Sequence, residues 1–190
     1  LDGSGGSLHR RGYRAAMGAA PLKENLAAGL IQLTGWDGRM PLVDPCCGSG
    51  ILLIEAVTMV LQQAPGLGRQ VGLEGWADFD RELWEREHAR ARQRRRSELD
   101  LAPVVGYEQD PLIADQARDN IQAAGLDGLI SIRCGSFDQQ TLPPGPGLLV
   151  CNPPYGHRVG ADDDLEQLYR SLGSFVRDQA SGWQLWLLSG

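Results

Sequence analysis

Apolar and polar positions alternate between two periods along this chain. Leu22, Leu26, Leu30, Ile31 and Leu33 recur at helical spacing, with Pro21 placed where the first turn of a helix accepts proline. Trp36-Asp37-Gly38 ends that helix, and Met40 to Val43 forms a short apolar run. The run breaks at Asp44-Pro45-Cys46-Cys47-Gly48-Ser49-Gly50, and a helix from Ile51 to about Gln63 follows. Residues 69–100 are polar, with a weak apolar stripe at Phe79, Leu83 and Trp84, and are expected to form a helical excursion. A strand is expected from Pro103 to Tyr107, with Glu108 at its end. Asp110 then serves as N-cap and Pro111 as the first residue of a helix that runs to Ala124. Strands are expected at Leu129–Cys134, Leu148–Cys151 and Trp183–Leu188, and a helix at Leu165–Gln179.

This alternation predicts an α/β fold with a largely parallel sheet and helices on both faces. Ligands of such sheets sit outside the carboxyl ends of the strands, where the strand order switches. The loops at 44–50, 108–110, 135–138 and 152–155 each follow a strand's carboxyl end and are expected to meet in one crevice.

Composition narrows the reading. The 190 residues are 42% hydrophobic and 22% charged, which excludes disorder, collagen and coiled coil. Glycine, at 25 residues, is about 13% of the chain against a usual ~7%. The net charge of -6 argues against a freestanding nucleic-acid binder. No window approaches a membrane span, and no secretory leader is evident. Because the chain starts at Leu1, it is expected to be a segment of something longer. Cys46, Cys47, Cys134 and Cys151 include no C-x-x-C pair. Buried thiols in a reducing cytosol, and no metal site, are expected.

Three constellations carry chemistry. Gly48 and Gly50 permit a sharp turn and close approach of the backbone to a ligand. The third glycine of a dinucleotide fingerprint is absent, since Leu53 stands there. Asp44 ahead of that loop suits a cationic group rather than a pyrophosphate. Glu108, at the end of the second strand, suits the two hydroxyls of a ribose. Asn152-Pro153-Pro154-Tyr155 is the most specific signal. Its prolines rigidify a turn, Asn152 and a proline carbonyl can accept both hydrogens of an amine, and Tyr155 offers a stacking face.

Taken together, these residues resemble class I S-adenosylmethionine-dependent methyltransferases acting on an exocyclic amino group. The lead-in Gly3-Ser4-Gly5-Gly6-Ser7-Leu8-His9-Arg10-Arg11-Gly12-Tyr13-Arg14, with Ala20-Pro21-Leu22-Lys23-Glu24, resembles bacterial 23S ribosomal RNA guanine-N2 methyltransferases linked to a THUMP domain. That group has often been labelled N6-adenine-specific DNA methylase. Ala64-Pro65-Gly66-Leu67, Trp76-Ala77, Asp80 and Trp84 resemble the insertion these enzymes carry.

The resemblance implies a Rossmann-like catalytic domain over 21–190, with a helical insertion at 64–100. A lead-in over 1–20 would come from an upstream RNA-binding domain, and the fold would be cut after its fifth strand. It implies a cytoplasmic enzyme with S-adenosyl-L-methionine as cofactor, ribosomal RNA as substrate, and no metal. Asp44, Pro45, Cys46, Gly48 and Gly50 would hold the methionine part of the cofactor, and Glu108 the ribose. Ser136, Phe137 and Asp138 would lie at the adenine, although Ser136 stands where relatives tend to have an aspartate. Asn152, Pro153, Pro154 and Tyr155 would hold the target base. DNA adenine-N6 and protein glutamine-N5 methylation use the same tetrapeptide, and a non-catalytic RNA-docking module is the rival from another class. Arg11, Tyr13 and Arg14 are expected either to touch RNA or to act as a linker. The arginines from Arg81 to Arg96 are expected to pair with glutamates, as Glu82 with Arg86, while Arg94-Arg95-Arg96 is unopposed and available to phosphates.

Overall fold

The structure is a computed structural model that describes residues 3–14, 22–69, 71–97, 100–153 and 162–188, with side chains of the last segment described from 165 onward. In chain order the elements are α1 (Glu24–Thr34), β1 (Leu42–Asp44), α2 (Ile51–Val60), α3 (Arg81–Arg94), β2 (Val104–Glu108), α4 (Pro111–Ala123), β3 (Ser131–Cys134), β4 (Leu148–Cys151), α5 (Asp162–Gln179) and β5 (Gln184–Leu187). The five strands form one parallel sheet in the order β3-β2-β1-β4-β5. Chain order reverses between β1 and β4, and the carboxyl ends of these two strands open the crevice expected of this topology.

The period-two pattern explains the layering. Leu42, Val104, Leu148 and Val150 point to one face, where they pack with residues of α1, α2 and α4. Their neighbours Val43, Val105, Tyr107 and Leu149 point to the other and pack with Phe137, Leu172 and Phe175. Strands buried on both faces read as continuous apolar runs, which is why β1, β2 and β4 are legible in the sequence.

α2 is buried along most of its length, including Glu55. α4 starts as its sequence dictates: Asp110 Oδ1 accepts the N–H groups of Leu112 at 2.8 Å and Ile113 at 3.4 Å, and Pro111 fills the first turn. α1 departs from expectation. Its buried face is Glu24, Ala27 and Ile31, while Leu26 and Leu33 are 48% and 71% exposed. At 100° per residue Leu26 and Leu33 project from the side of the helix opposite that face. Pro21 lies outside the described residues. The region expected as a helical excursion contains a 3-10 turn at Gly72–Gly75 followed by α3, whose 14 residues include none that is buried.

Candidate active site

The glycine loop after β1 is the foundation of the site. Gly48 and Gly50 both have left-handed backbone, with φ of 53° and 82°. The loop is held from three sides. The Cys47 N–H donates to the Tyr107 carbonyl at 3.0 Å, the Gly48 N–H to Glu108 Oε2 at 3.0 Å, and Asn120 Nδ2 to the Ser49 carbonyl at 3.0 Å. Gly106 on β2 makes this approach feasible. A Cβ there would stand 2.7 Å from Cys47 Sγ and 2.8 Å from methyl groups of Ile132 and Leu53.

Asp44 ends β1 and is 1% exposed. Its Oδ1 accepts the Cys46 N–H at 3.1 Å. Burial pushes its pKa up to about 7; that hydrogen bond acts against the shift, and the nearby Glu108 adds to it. Glu108 uses one oxygen for Gly48 and the other for the Asp110 N–H at 2.9 Å. A carboxylate offers about four lone-pair sites, so each oxygen keeps acceptor capacity.

These residues line one cavity of about 810 Å³, within the usual range for small-molecule sites. Asp44, Pro45, Cys46, Gly48, Glu108, Ser136, Phe137, Asp138 and Asn152 all contribute to its wall. Phe137 is buried and stands edge-on to Phe175, with ring centroids 5.4 Å apart. Three loops and the start of a fourth therefore meet as expected. Gly50 is not in the wall; it caps the start of α2 instead. Asn152 follows β4, and its Oδ1 is buried with no hydrogen-bond partner among the described residues. A buried acceptor left without a donor costs free energy that only a ligand or water can return. Pro153 is buried beside it. Pro154 and Tyr155 lie outside the described residues.

Sequence reading missed part of the wall. Leu22, Ile113 and, on α5, Gln167, Leu168 and Ser171 also line it. Gln167 and Ser171 sit at i,i+4 on a helix whose buried side is Leu172 and Phe175, a polar pair that could have been noticed. Gly106 had the signal of a glycine within an apolar strand.

The three lead-in residues, expected either at RNA or in a linker, are engaged inside the fold. Tyr13 is 8% exposed and donates to Glu55 Oε1 at 3.0 Å. Arg11 reaches Glu55 Oε2 at 3.4 Å, and Arg14 lies 3.8 Å from Glu24 Oε1 while donating to the Leu22 carbonyl at 2.9 Å. The reason is electrostatic: two carboxylates buried between α1 and α2 need cations and donors. The arginine run also differs from expectation. Glu87, not Glu82, pairs with Arg86 and Arg90. Arg95 is committed to Gln63 Oε1 at 2.8 Å and the Gly125 carbonyl at 3.2 Å. Cys47 and Cys151 are buried thiols, Cys46 is half-buried, and Cys134 is exposed. No group of metal-binding side chains occurs among the described residues, and no helix there is long and apolar enough to cross a membrane.

Comparison with known proteins agrees with this fold. Residues 11–190 match the family profile described as RMKL-like, methyltransferase domain. The ribosomal RNA large subunit methyltransferase K/L of Syntrophotalea carbinolica is 46% identical over 200 residues, covering 100% of this chain and 28% of that protein. The chain thus spans about a quarter of the length of such relatives. The crystal structure of SMU.472, a presumed methyltransferase complexed with SAH, aligns with a TM-score of 0.91 at 32% identity, covering 98% of this chain and 48% of that one. A predicted N6-adenine-specific DNA methylase from Listeria monocytogenes aligns with a TM-score of 0.91 at 34% identity, covering 100% and 49%. The chain belongs to the RMKL-like methyltransferase domain family.

Proposed function

We propose that this domain transfers a methyl group from S-adenosyl-L-methionine to the exocyclic amine of a nucleobase, guanine N2 of 23S ribosomal RNA. The observation that carries the reading is the buried Asn152 Oδ1, which has no partner among the described residues, at the cavity that Asp44 and Glu108 floor.

The donor set suits the cofactor. Asp44 is a buried anion-former with no cation beside it among the described residues, which fits an ammonium group. Glu108 is held rigid by two backbone N–H groups and retains lone pairs for two vicinal hydroxyls. Phe137 gives an apolar wall for a flat base, and Asp138, next to it in the lining, is our assignment for the acceptor of the adenine amine. When bound, the cofactor supplies an already activated methyl group, so the protein's task is positioning.

The residues of the chain then act on the target amine. The amine lone pair is delocalised into the base, which makes it a poor nucleophile. Asn152 Oδ1 and the Pro153 carbonyl accept its two hydrogens and draw the nitrogen toward tetrahedral geometry. We assign Tyr155 as the stacking face for the base. No strong base is required, because the proton is acidic once the nitrogen has become cationic and water can take it. A paired base must leave its stack at a cost of a few kcal/mol, and less in a loop.

The whole protein would work in the cytoplasm, with an upstream THUMP-type domain providing RNA affinity. Offering the complete protein radiolabelled cofactor together with ribosomal RNA, duplex DNA or a glutamine-bearing protein tests the substrate class. Label is expected in RNA alone. Label in DNA supports the adenine-N6 reading. Absence of cofactor binding supports a non-catalytic module.

A further inference from the structure

The -6 charge of the chain is unevenly spread. Residues 81–96 hold seven of the 18 basic residues and three glutamates, a net of +4, so the other 174 residues carry -10. This segment is almost entirely α3. Its half-buried residues, Trp84, His88 and Ala91, form one narrow stripe. Trp84 stacks on His88 at 4.5 Å and leans on Phe79 at 6.2 Å. At 100° per residue, Arg86, Arg90 and Arg94 fall together on a different flank, and all three are exposed. Each step of four residues is a rise of about 6 Å, so the three guanidinium groups span roughly 12 Å of helix.

A solvated face would explain exposed arginines paired with glutamates. It does not explain this stripe, where among the described residues Glu87 alone serves both Arg86 and Arg90, at 3.8 and 2.8 Å. Exposed pairs of this kind contribute little to stability. The helix is also anchored. Arg95 is clamped by Gln63 and the Gly125 carbonyl, and the Arg96 N–H by the Leu61 carbonyl at 2.8 Å. That clamp fixes the direction in which the stripe faces. Arginine presents a planar fork that matches phosphate oxygens in pairs and stays charged at any working pH.

We infer that the Arg86–Arg90–Arg94 flank of α3 is a docking surface for the phosphate backbone of RNA. It binds without reading sequence and adds affinity for an RNA long enough to reach from this helix to the Asn152 turn. The inference rests on the RNA reading proposed above. It places a contact on the catalytic domain itself, separate from any upstream domain.

The test is equilibrium binding of a ribosomal RNA fragment to the complete protein over a range of salt concentrations. Wild type is compared with the triple variant Arg86→Gln, Arg90→Gln, Arg94→Gln. A control variant, Arg39→Gln, Arg118→Gln, Arg177→Gln, removes the same charge from exposed sites elsewhere. Each lost phosphate contact should flatten the slope of log K against log salt by about 0.7. The α3 variant is expected to lose about 2 from that slope and ten- to a hundredfold in affinity at 0.1 M salt, with melting temperature and S-adenosylhomocysteine binding unchanged. The control is expected to stay near wild type. An α3 variant that binds like wild type, or a control that loses as much, overturns the docking surface. A wild type that binds the cofactor product but no RNA overturns the RNA reading beneath it.

Discussion

Glu108 and Gly48 stand 60 positions apart in sequence, yet the Gly48 N–H donates to Glu108 Oε2 at 3.0 Å. The bond ties the end of β2 to the loop after β1, so the residue assigned to the ribose also shapes the loop assigned to the methionine part. The other oxygen holds the Asp110 N–H, and Asp110 caps α4. Glu108→Gln keeps the shape but must turn an NH2 toward one of the two N–H donors. Leaving such a donor unsatisfied costs about 1–3 kcal/mol. We expect a lower melting temperature and at least tenfold weaker S-adenosylhomocysteine binding by calorimetry. Unchanged values for both would show that the bond is incidental.

If Asp44 receives the cofactor's ammonium group, as proposed, cofactor binding depends on pH. Its folded pKa is raised to about 7 by burial, while the bound ammonium group requires the ionised carboxylate. Below pH 7 the empty site holds a proton that binding must expel, which costs about 1.4 kcal/mol per pH unit. Affinity is therefore expected to fall about tenfold per unit as pH drops below 7, and to level off above it. The same shift has the opposite sign for the stability of the empty protein, which should decline as pH rises from about 4 to 7. Asp44→Asn should abolish both dependences and most of the affinity. Titrations at pH 5.5, 6.5 and 7.5 with equal affinities would contradict the assignment.

Gly106 is required by packing rather than by backbone conformation. The methyl group of Gly106→Ala would meet Cys47 Sγ, Ile132 and Leu53 closer than 3.0 Å. Overpacking of this kind typically costs about 1–3 kcal/mol. Because Cys47 belongs to the glycine loop, cofactor affinity should fall with stability. Urea unfolding that gives the wild-type midpoint would refute the argument.

Glu55 holds the lead-in segment to the domain. It receives Tyr13 at 3.0 Å and Arg11 at 3.4 Å, and burial raises its pKa despite the Arg11 charge. Glu55→Ala strands a nearly buried cation and a phenol hydroxyl. Removing one partner of a buried pair costs roughly 3–5 kcal/mol, and the low end applies because Arg11 keeps some contact with solvent. Proteolysis within residues 3–14 should become faster in this variant. Equal stability and equal cleavage would mean that the segment is only loosely laid on the surface.

Much of this is legible in the sequence. β4 falls on Leu148–Cys151 as its apolar run indicates, and the start of α4 follows from Asp110-Pro111. The site loops were legible because each combines turn residues with a lone polar group at the end of an apolar strand. What failed has a common physical cause. Leu26 and Leu33 share the helical period of the buried residues, and only the approach of α2 decides which side faces inward. Arg11, Tyr13 and Arg14 look like surface residues until Glu24 and Glu55 are known to be buried opposite them. A period of 3.6 locates a helix, but partners distant in sequence choose its face.

The central claim is that Asn152 presents the target amine of a guanine in 23S ribosomal RNA to the cofactor. The direct measurement uses ribosomal RNA from a strain lacking the enzyme, methylated by the complete protein and digested for mass spectrometry. Wild type and Asn152→Ala are run side by side, with S-adenosylhomocysteine affinity measured on both. We predict N2-methylguanosine in 23S RNA with wild type, and loss of most turnover with unchanged cofactor affinity in the variant. Full turnover by Asn152→Ala, or a methyl mark on a base other than guanine, would contradict the account.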